Sequence, residues 1–177
     1  MKQVLGLLFV ILLSACIGAD VKPKISSSPT EIKAEIHNNL DAWHDAASKA
    51  DFNAYFHLMT KDAVFIGTDA SENWQVEEFK SYSKPHFDKG RAWSFSALER
   101  NIYLSEDTKI AWFDELLDTQ MELCRGSGVM KLENNTWKVT HYVLSIAIPN
   151  EKVSEVIALK KESDSLYMKQ LLEKVKN

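Results

Sequence analysis

Ala42 to Asp69 reads AWHDAASKADFNAYFHLMTKDAVFIGTD. Trp43 and Ala47 in this stretch extend an apolar series from Ile32, Ile36 and Leu40 in steps of three and four. That spacing draws one face of a helix of about five turns. Asp51 is placed to cap a second, short helix carrying Phe52, Tyr55, Phe56 and Met59. Lys61 and Asp62 then turn the chain into Ala63-Val64-Phe65-Ile66, a β-branched and aromatic run stopped by Gly67. Two helices feeding one strand set the frame for the rest.

Upstream, Ser28-Pro29-Thr30-Glu31 fits a capping box with proline at the first helical position. Downstream, a third helix holds Trp74, Phe79 and Tyr82, with Pro85 limiting its length. From Arg91 the pattern changes to extended runs: 91–103, 109–120, 122–132 and 136–148. Glu133-Asn134-Asn135 is the turn of a hairpin between the last two. Helices followed by consecutive antiparallel strands define an α+β class, with the helices on one face of the sheet. Pro149 ends the last strand, and Asn150 can cap a terminal helix carrying Val153, Val156, Ile157, Leu166, Leu171, Leu172 and Val175.

The amino terminus has its own logic. Lys2 precedes an apolar run from Val4 to Leu13, too short to span a bilayer as a helix, which needs about 20 residues. This is the layout of a secretory signal. Leu13-Ser14-Ala15-Cys16 resembles the lipobox of bacterial lipoproteins, in which the signal is cut before the cysteine and its thiol carries a diacylglycerol. The expected organisation is a signal over 1–15, lipid attachment at Cys16, and a flexible tether over 16–28. A folded domain over 29–150 and a helical extension over 151–177 follow. The resemblance implies export and anchoring in the bacterial envelope, on the outer membrane or the outer face of the plasma membrane. With Cys16 lipidated, Cys124 has no disulfide partner and reads as a small buried residue.

The order helix, helix, strand, helix and then a curved meander resembles the nuclear transport factor 2-like superfamily, in particular its SnoaL-like branch. Ala42 to Asp69 looks like that branch's opening. AWFDELL (Ala111 to Leu117), CRGSGVM (Cys124 to Met130) and WKVTHYVLSIAIPN (Trp137 to Asn150) look like its last three strands. The resemblance implies a cone: about three helices packed on a curved sheet, with a cavity at the wide mouth. It also implies a choice among isomerases, cyclases, dehydratases, binding domains and dimeric modules, which the fold alone does not make.

Alternation along Trp137 to Ser145 places His141 on the concave face with Trp137 and Val139. A histidine there exchanges a proton near neutral pH. Both faces of Ala111 to Asp118 are apolar with one acid each. Asp114 is taken as the inward one, because members of the resembling family often carry a pocket acid on that strand. Asp114 and His141 are therefore the candidate acid/base pair, with an Asp114–Arg125 ion pair as the structural alternative. Arg125-Gly126-Ser127-Gly128 lies mid-strand, so it is no phosphate loop; its glycines mark sheet curvature, and Arg125 is a candidate anion contact. Trp43, Tyr55, Trp74, Trp93, Trp112 and Trp137 supply core and candidate pocket aromatics.

Histidines 37, 44, 57, 86 and 141 form no recognised metal spacing, and no motif asks for a cofactor. A net charge of −4 without a basic patch argues against nucleic acid. Three functions remain. One is a pocket for a small, partly apolar molecule. Another is an isomerase, cyclase or dehydratase working through Asp114 and His141. The third is a homodimeric interaction module built on the convex sheet face, with the terminal helix docking a partner.

Overall fold

A computed structural model describes residues 28–176 of the chain. The expected signal, the lipid site at Cys16 and the tether up to residue 27 lie outside the described residues.

Helix α1 (Pro29–Ser48) starts at the capping box: Ser28 Oγ accepts from the Glu31 amide and the Glu31 carboxylate accepts from the Ser28 amide. Its buried face is Ile32, Ile36, Leu40, Trp43, His44, Ala46 and Ala47. Asp51 caps α2 (Phe52–His57) through the Ala54 amide at 2.9 Å. Strand β1 (Met59–Ile66) and short β2 (Asn73–Gln75) form a hairpin, which leads into α3 (Val76–Asp88). Trp74 stands on β2, ahead of the helix in which it was expected. Pro85 sits in the final turn of α3, where its missing amide removes only one bond, so the helix runs on to Asp88.

Strands β3 (Phe95–Leu104), β4 (Ile110–Thr119), β5 (Glu122–Glu133) and β6 (Thr136–Ile146) are an antiparallel meander. Asn134 and Asn135, both at positive φ, make the two-residue turn between β5 and β6. The sheet order is β2-β1-β6-β5-β4-β3, and β1 lies parallel to β6. The sheet is curved and unclosed, with α1, α2 and α3 on its inner face. This is the expected α+β cone. A single 3-10 turn (Asn150–Lys152) joins it to α4 (Val153–Val175).

Two irregularities decide which side chains point inward. On β6, Val139 stands opposite Met130 and His141 opposite Val129, so Thr140 is an extra residue. This bulge shifts the alternation by one. Trp137 and Val139 are buried, and beyond the bulge Tyr142 and Leu144 take the inner face. His141 therefore points to the outer face, against the expectation from unbroken alternation. On β3, Leu98 is the extra residue and is 64% exposed; past it, Arg100 and Ile102 face inward.

The expectation for β4 is also overturned. Ala111, Phe113, Glu115 and Leu117 are buried, while Trp112 and Asp114 lie on the outer face. The reason is hydrogen-bonding capacity: an inward Glu115 finds several donors, whereas Asp114 meets only Asn101 Nδ2, at 3.1 Å. Arg125 alternates with the inward Cys124 and Gly126 and is exposed outside, opposite Leu116. Cys124 is buried, with its thiol free.

Candidate functional site

Four elements deliver polar side chains to one point under α1. Arg100 and Glu115 are directly opposed in the β3–β4 register, and Arg100 Nε donates to Glu115 Oε2 at 2.8 Å. His44 of α1 meets Glu115 Oε1 through Nε2 at 2.8 Å. The Tyr142 hydroxyl donates to the same oxygen at 2.9 Å. Arg100 Nη1 continues outward to Asp41 Oδ1 at 2.8 Å and to the His37 carbonyl at 3.2 Å. The side chains of His44, Arg100 and Glu115 are 4%, 3% and 0% exposed, and only Asp41 reaches solvent.

Burial alone would push the Glu115 carboxyl up. The hydrogen bond from His44, with the charge of Arg100 and the bond it donates, outweighs burial and holds the group below its ordinary value. Glu115 is therefore a committed carboxylate that orients its partners. It is not a proton donor. Burial first, then the Glu115 charge, pushes the Tyr142 phenol well above its ordinary value. His37 at the rim is lowered by burial and by Arg100. Two buried nitrogens of this network, His44 Nδ1 and Arg100 Nη2, have no hydrogen-bond partner among the described residues. His44 also lines a shallow polar cleft of about 310 Å³ with Asp41, Asp45, Ser48 and Ser94.

A second candidate site opens at the mouth of the cone. Phe65 and Phe79 stack at 4.1 Å and 13°, and Trp74 lies nearly parallel to Phe79 at 16°. Trp74 in turn stacks on Tyr82 at 4.3 Å, while Trp93 lies 5.6 Å from Phe79 with its plane inclined by 24°. These rings, with Met121 and Leu144, enclose a cleft of about 150 Å³ whose rim carries Thr68, Glu72 and Gln120. Deeper in, the cone is filled by its own side chains. Trp43 stacks on Tyr55 at 4.9 Å and meets the Tyr142 ring edge-on at 4.9 Å.

The sequence matches a family model described as a SnoaL-like domain over residues 36–149. The chain belongs to the SnoaL-like family. No curated protein matches it. Among solved structures it is similar to an NTF2-like protein of unknown function from Pseudomonas putida KT2440, at 12% identity and a TM-score of 0.59, covering 71% of this chain and 94% of that one. It is similar also to an NTF2-like protein from Cytophaga hutchinsonii (16% identity, TM-score 0.55, 68% and 100% covered). The association domain of C. elegans CaMKII is a further likeness (19% identity, TM-score 0.54, 66% and 96% covered). At these identities the likeness shows the fold.

Within this SnoaL-like domain the candidate residues separate into three places. Trp74 and Trp93 are half-buried and border the aromatic cleft. Trp43, Tyr55 and Trp137 are core, each 1% exposed. Asp114, His141, Trp112 and Arg125 are all on the outer sheet face, so the expected acid/base pair does not enter the cone. Trp112 stacks there on Tyr103 at 5.9 Å. The residues that sequence reasoning missed are Arg100, Glu115, Tyr142 and His44. His44 had a signal, since it follows Leu40 by one turn on the apolar face of α1. Arg100 and Tyr142 had none, because each takes its direction from a bulge.

Proposed function

We propose that this chain is a lipid-anchored binding protein of the bacterial envelope whose SnoaL-like domain holds a small, flat, partly apolar molecule in the aromatic cleft. The observation carrying this reading is the aromatic lining, Trp74, Phe79, Phe65 and Trp93, of a cleft of about 150 Å³. A cavity of about that size accepts one benzene-sized ring. The half-buried rings of Trp74 and Trp93 at its border favour an aromatic or planar guest. A donor on that guest would meet Glu72 at the rim. Leu13-Ser14-Ala15-Cys16 supports the anchor, and stable attachment takes at least two acyl chains.

The test is a screen of planar aromatic compounds by native mass spectrometry and tryptophan fluorescence. Trp74→Ala is expected to weaken any hit at least tenfold, whereas Trp112→Ala leaves it unchanged. Hits that bind Trp74→Ala as tightly as the parent would remove the cleft from consideration. Fatty-acid labelling of cells should mark the chain and vanish with Cys16→Ser; a labelled Cys16→Ser chain would sink the anchor.

A second reading rests on His44. With Nε2 committed to Glu115, its Nδ1 is a buried acceptor that no described group uses. A ring oriented by a carboxylate in this way is the arrangement of a general base. Proton exchange into enolisable ketones in heavy water, lost in His44→Gln, would support it. No exchange by the parent across such a panel counts against it.

The outer sheet face is the surface this reading assigns to self-association. Tyr103, Ile110 and Trp112 are each about half exposed on it. Light scattering should show self-association that Trp112→Glu reduces; self-association indifferent to that change would rule out this face.

A further inference from the structure

Helix α4 lies beyond residue 149, where the SnoaL-like match ends. It runs for 23 residues, about 34 Å, and none of its residues is buried. The Tyr167 hydroxyl donates to the Ala70 carbonyl at 3.4 Å on the side facing the body. Beside that side runs a seam: Ile157, Lys161, Asp164, Met168, Leu171 and Val175 follow one another in steps of four, three, four, three and four. That is the spacing of a coiled-coil contact line. Ile157, Met168 and Val175 are 61%, 55% and 85% exposed. A groove of about 290 Å³, walled by Ile148, borders the amino-terminal half of the seam.

The centre of the seam reads the same way from both ends. About a point between Glu162 and Ser163, Ile157 exchanges with Met168 and Lys161 with Asp164, while Leu171 exchanges with Ser154. A two-fold axis at that point would therefore set Ile157 against Met168 and lysine against aspartate on both sides of the centre. Further out, Glu151 exchanges with Lys174. A parallel pair would instead bring Lys161 to Lys161 and Asp164 to Asp164, which repels. Asp164 also meets Lys160 of its own helix at 3.3 Å, whereas Lys161 makes no ion pair among the described residues.

We propose that α4 pairs antiparallel with α4 of a second copy of this chain, in a register fixed by reciprocal Lys161–Asp164 contacts. Polar residues inside an apolar seam specify register and orientation at some cost in affinity. The contact uses no residue of the outer sheet face, so the two contacts can be broken separately.

Sedimentation equilibrium of the full chain carrying Cys16→Ser, so that no lipid drives association, tests this. Lys161→Asp and Ile157→Asp are each expected to weaken the dimer at least tenfold. The exchanged pair Lys161→Asp/Asp164→Lys should recover it to within about threefold, because the reciprocal contacts are restored. These positions have no part in the core, so circular dichroism of each variant should match the parent. A chain that stays monomeric at high concentration overturns the proposal. So does an exchanged pair that fails to recover while remaining helical, or association abolished by Trp112→Glu and untouched by Lys161→Asp.

Discussion

The hydroxyl of Tyr142 reaches Glu115 Oε1 at 2.9 Å although β6 and β4 are not neighbours. Strand β5 runs between them, and the bond crosses over Gly126. A Cβ on Gly126 would stand 2.2 Å from the Tyr142 hydroxyl and 3.0 Å from Glu115 Cγ. The glycine leaves the room that the buried polar network occupies.

Gly126→Ala should therefore destabilise the domain by about 1–3 kcal/mol, the usual effect of overpacking a filled interior. Chemical denaturation measures it. In a Tyr142→Phe background the same substitution should cost less, since the nearest clashing atom is gone. Equal effects in the two backgrounds would show that the steric explanation is wrong.

Glu115→Ala removes the common partner of His44, Arg100 and Tyr142. A buried charge stripped of its counter-charge costs about 3–5 kcal/mol. Glu115→Gln keeps one acceptor and should cost less. Asp114→Ala, on the outer face, should fall within about 0.5 kcal/mol of the parent. A ranking in which Asp114→Ala is the worse of the two alanine variants would contradict this assignment of the inward acid.

Acid should unfold the protein partly through this same carboxylate. Glu115 releases its proton more readily in the folded chain than at its ordinary value of 4.5. The stability it contributes is thus complete above about pH 4.5 and is lost as pH falls through the lower folded value. His37, also lowered from 6.5, adds a smaller loss of the same sign as pH drops below that value. Unfolding free energy measured from pH 7 to pH 3 should fall, and the slope below pH 4.5 should be shallower in Glu115→Gln. An unchanged slope would mean that Glu115 does not contribute to it.

On the alkaline side the sign reverses. Burial is the main cause that keeps the phenols of Tyr55 and Tyr142 protonated well above the ordinary value of 10. Their contribution is complete below about pH 10 and is lost as pH rises through their folded values. Absorbance at the tyrosinate band should show the exposed phenols titrating reversibly first. Tyr55 and Tyr142 should appear only together with loss of tertiary circular dichroism. Ionisation of every tyrosine before any unfolding would refute their burial.

The fold was legible because its signals are local. The Ser28–Glu31 capping box, the Asp51 cap and the Asn134-Asn135 turn each act within a few residues and formed where they were read, whereas β1 begins at Met59, ahead of the expected turn at Lys61-Asp62. The directions of side chains on the strands were legible only up to a bulge. Nothing in the residues around Thr140 or Leu98 announces an extra residue, because a bulge is set by the register of the neighbouring strand. On β4 the pattern was balanced, and partners distant in sequence resolved it in favour of Glu115. The aromatic mouth was half legible: Trp74 and Trp93 border it, but sequence could not separate them from Trp43, Tyr55 and Trp137, which fill the interior.

Thr140 also bears on how this chain tolerates editing. Removing that one residue would not shorten a loop. It would join Val139 directly to His141 and take out the bulge, leaving a regular ladder in which Val139, Tyr142 and Leu144 still face inward. Loss of one residue beyond the bulge, such as Val143, would instead carry Leu144 to the outer face and exchange the chemistry of the interior for that of the exterior. The register of the strand past Thr140, more than its composition, is what holds Tyr142 over Glu115.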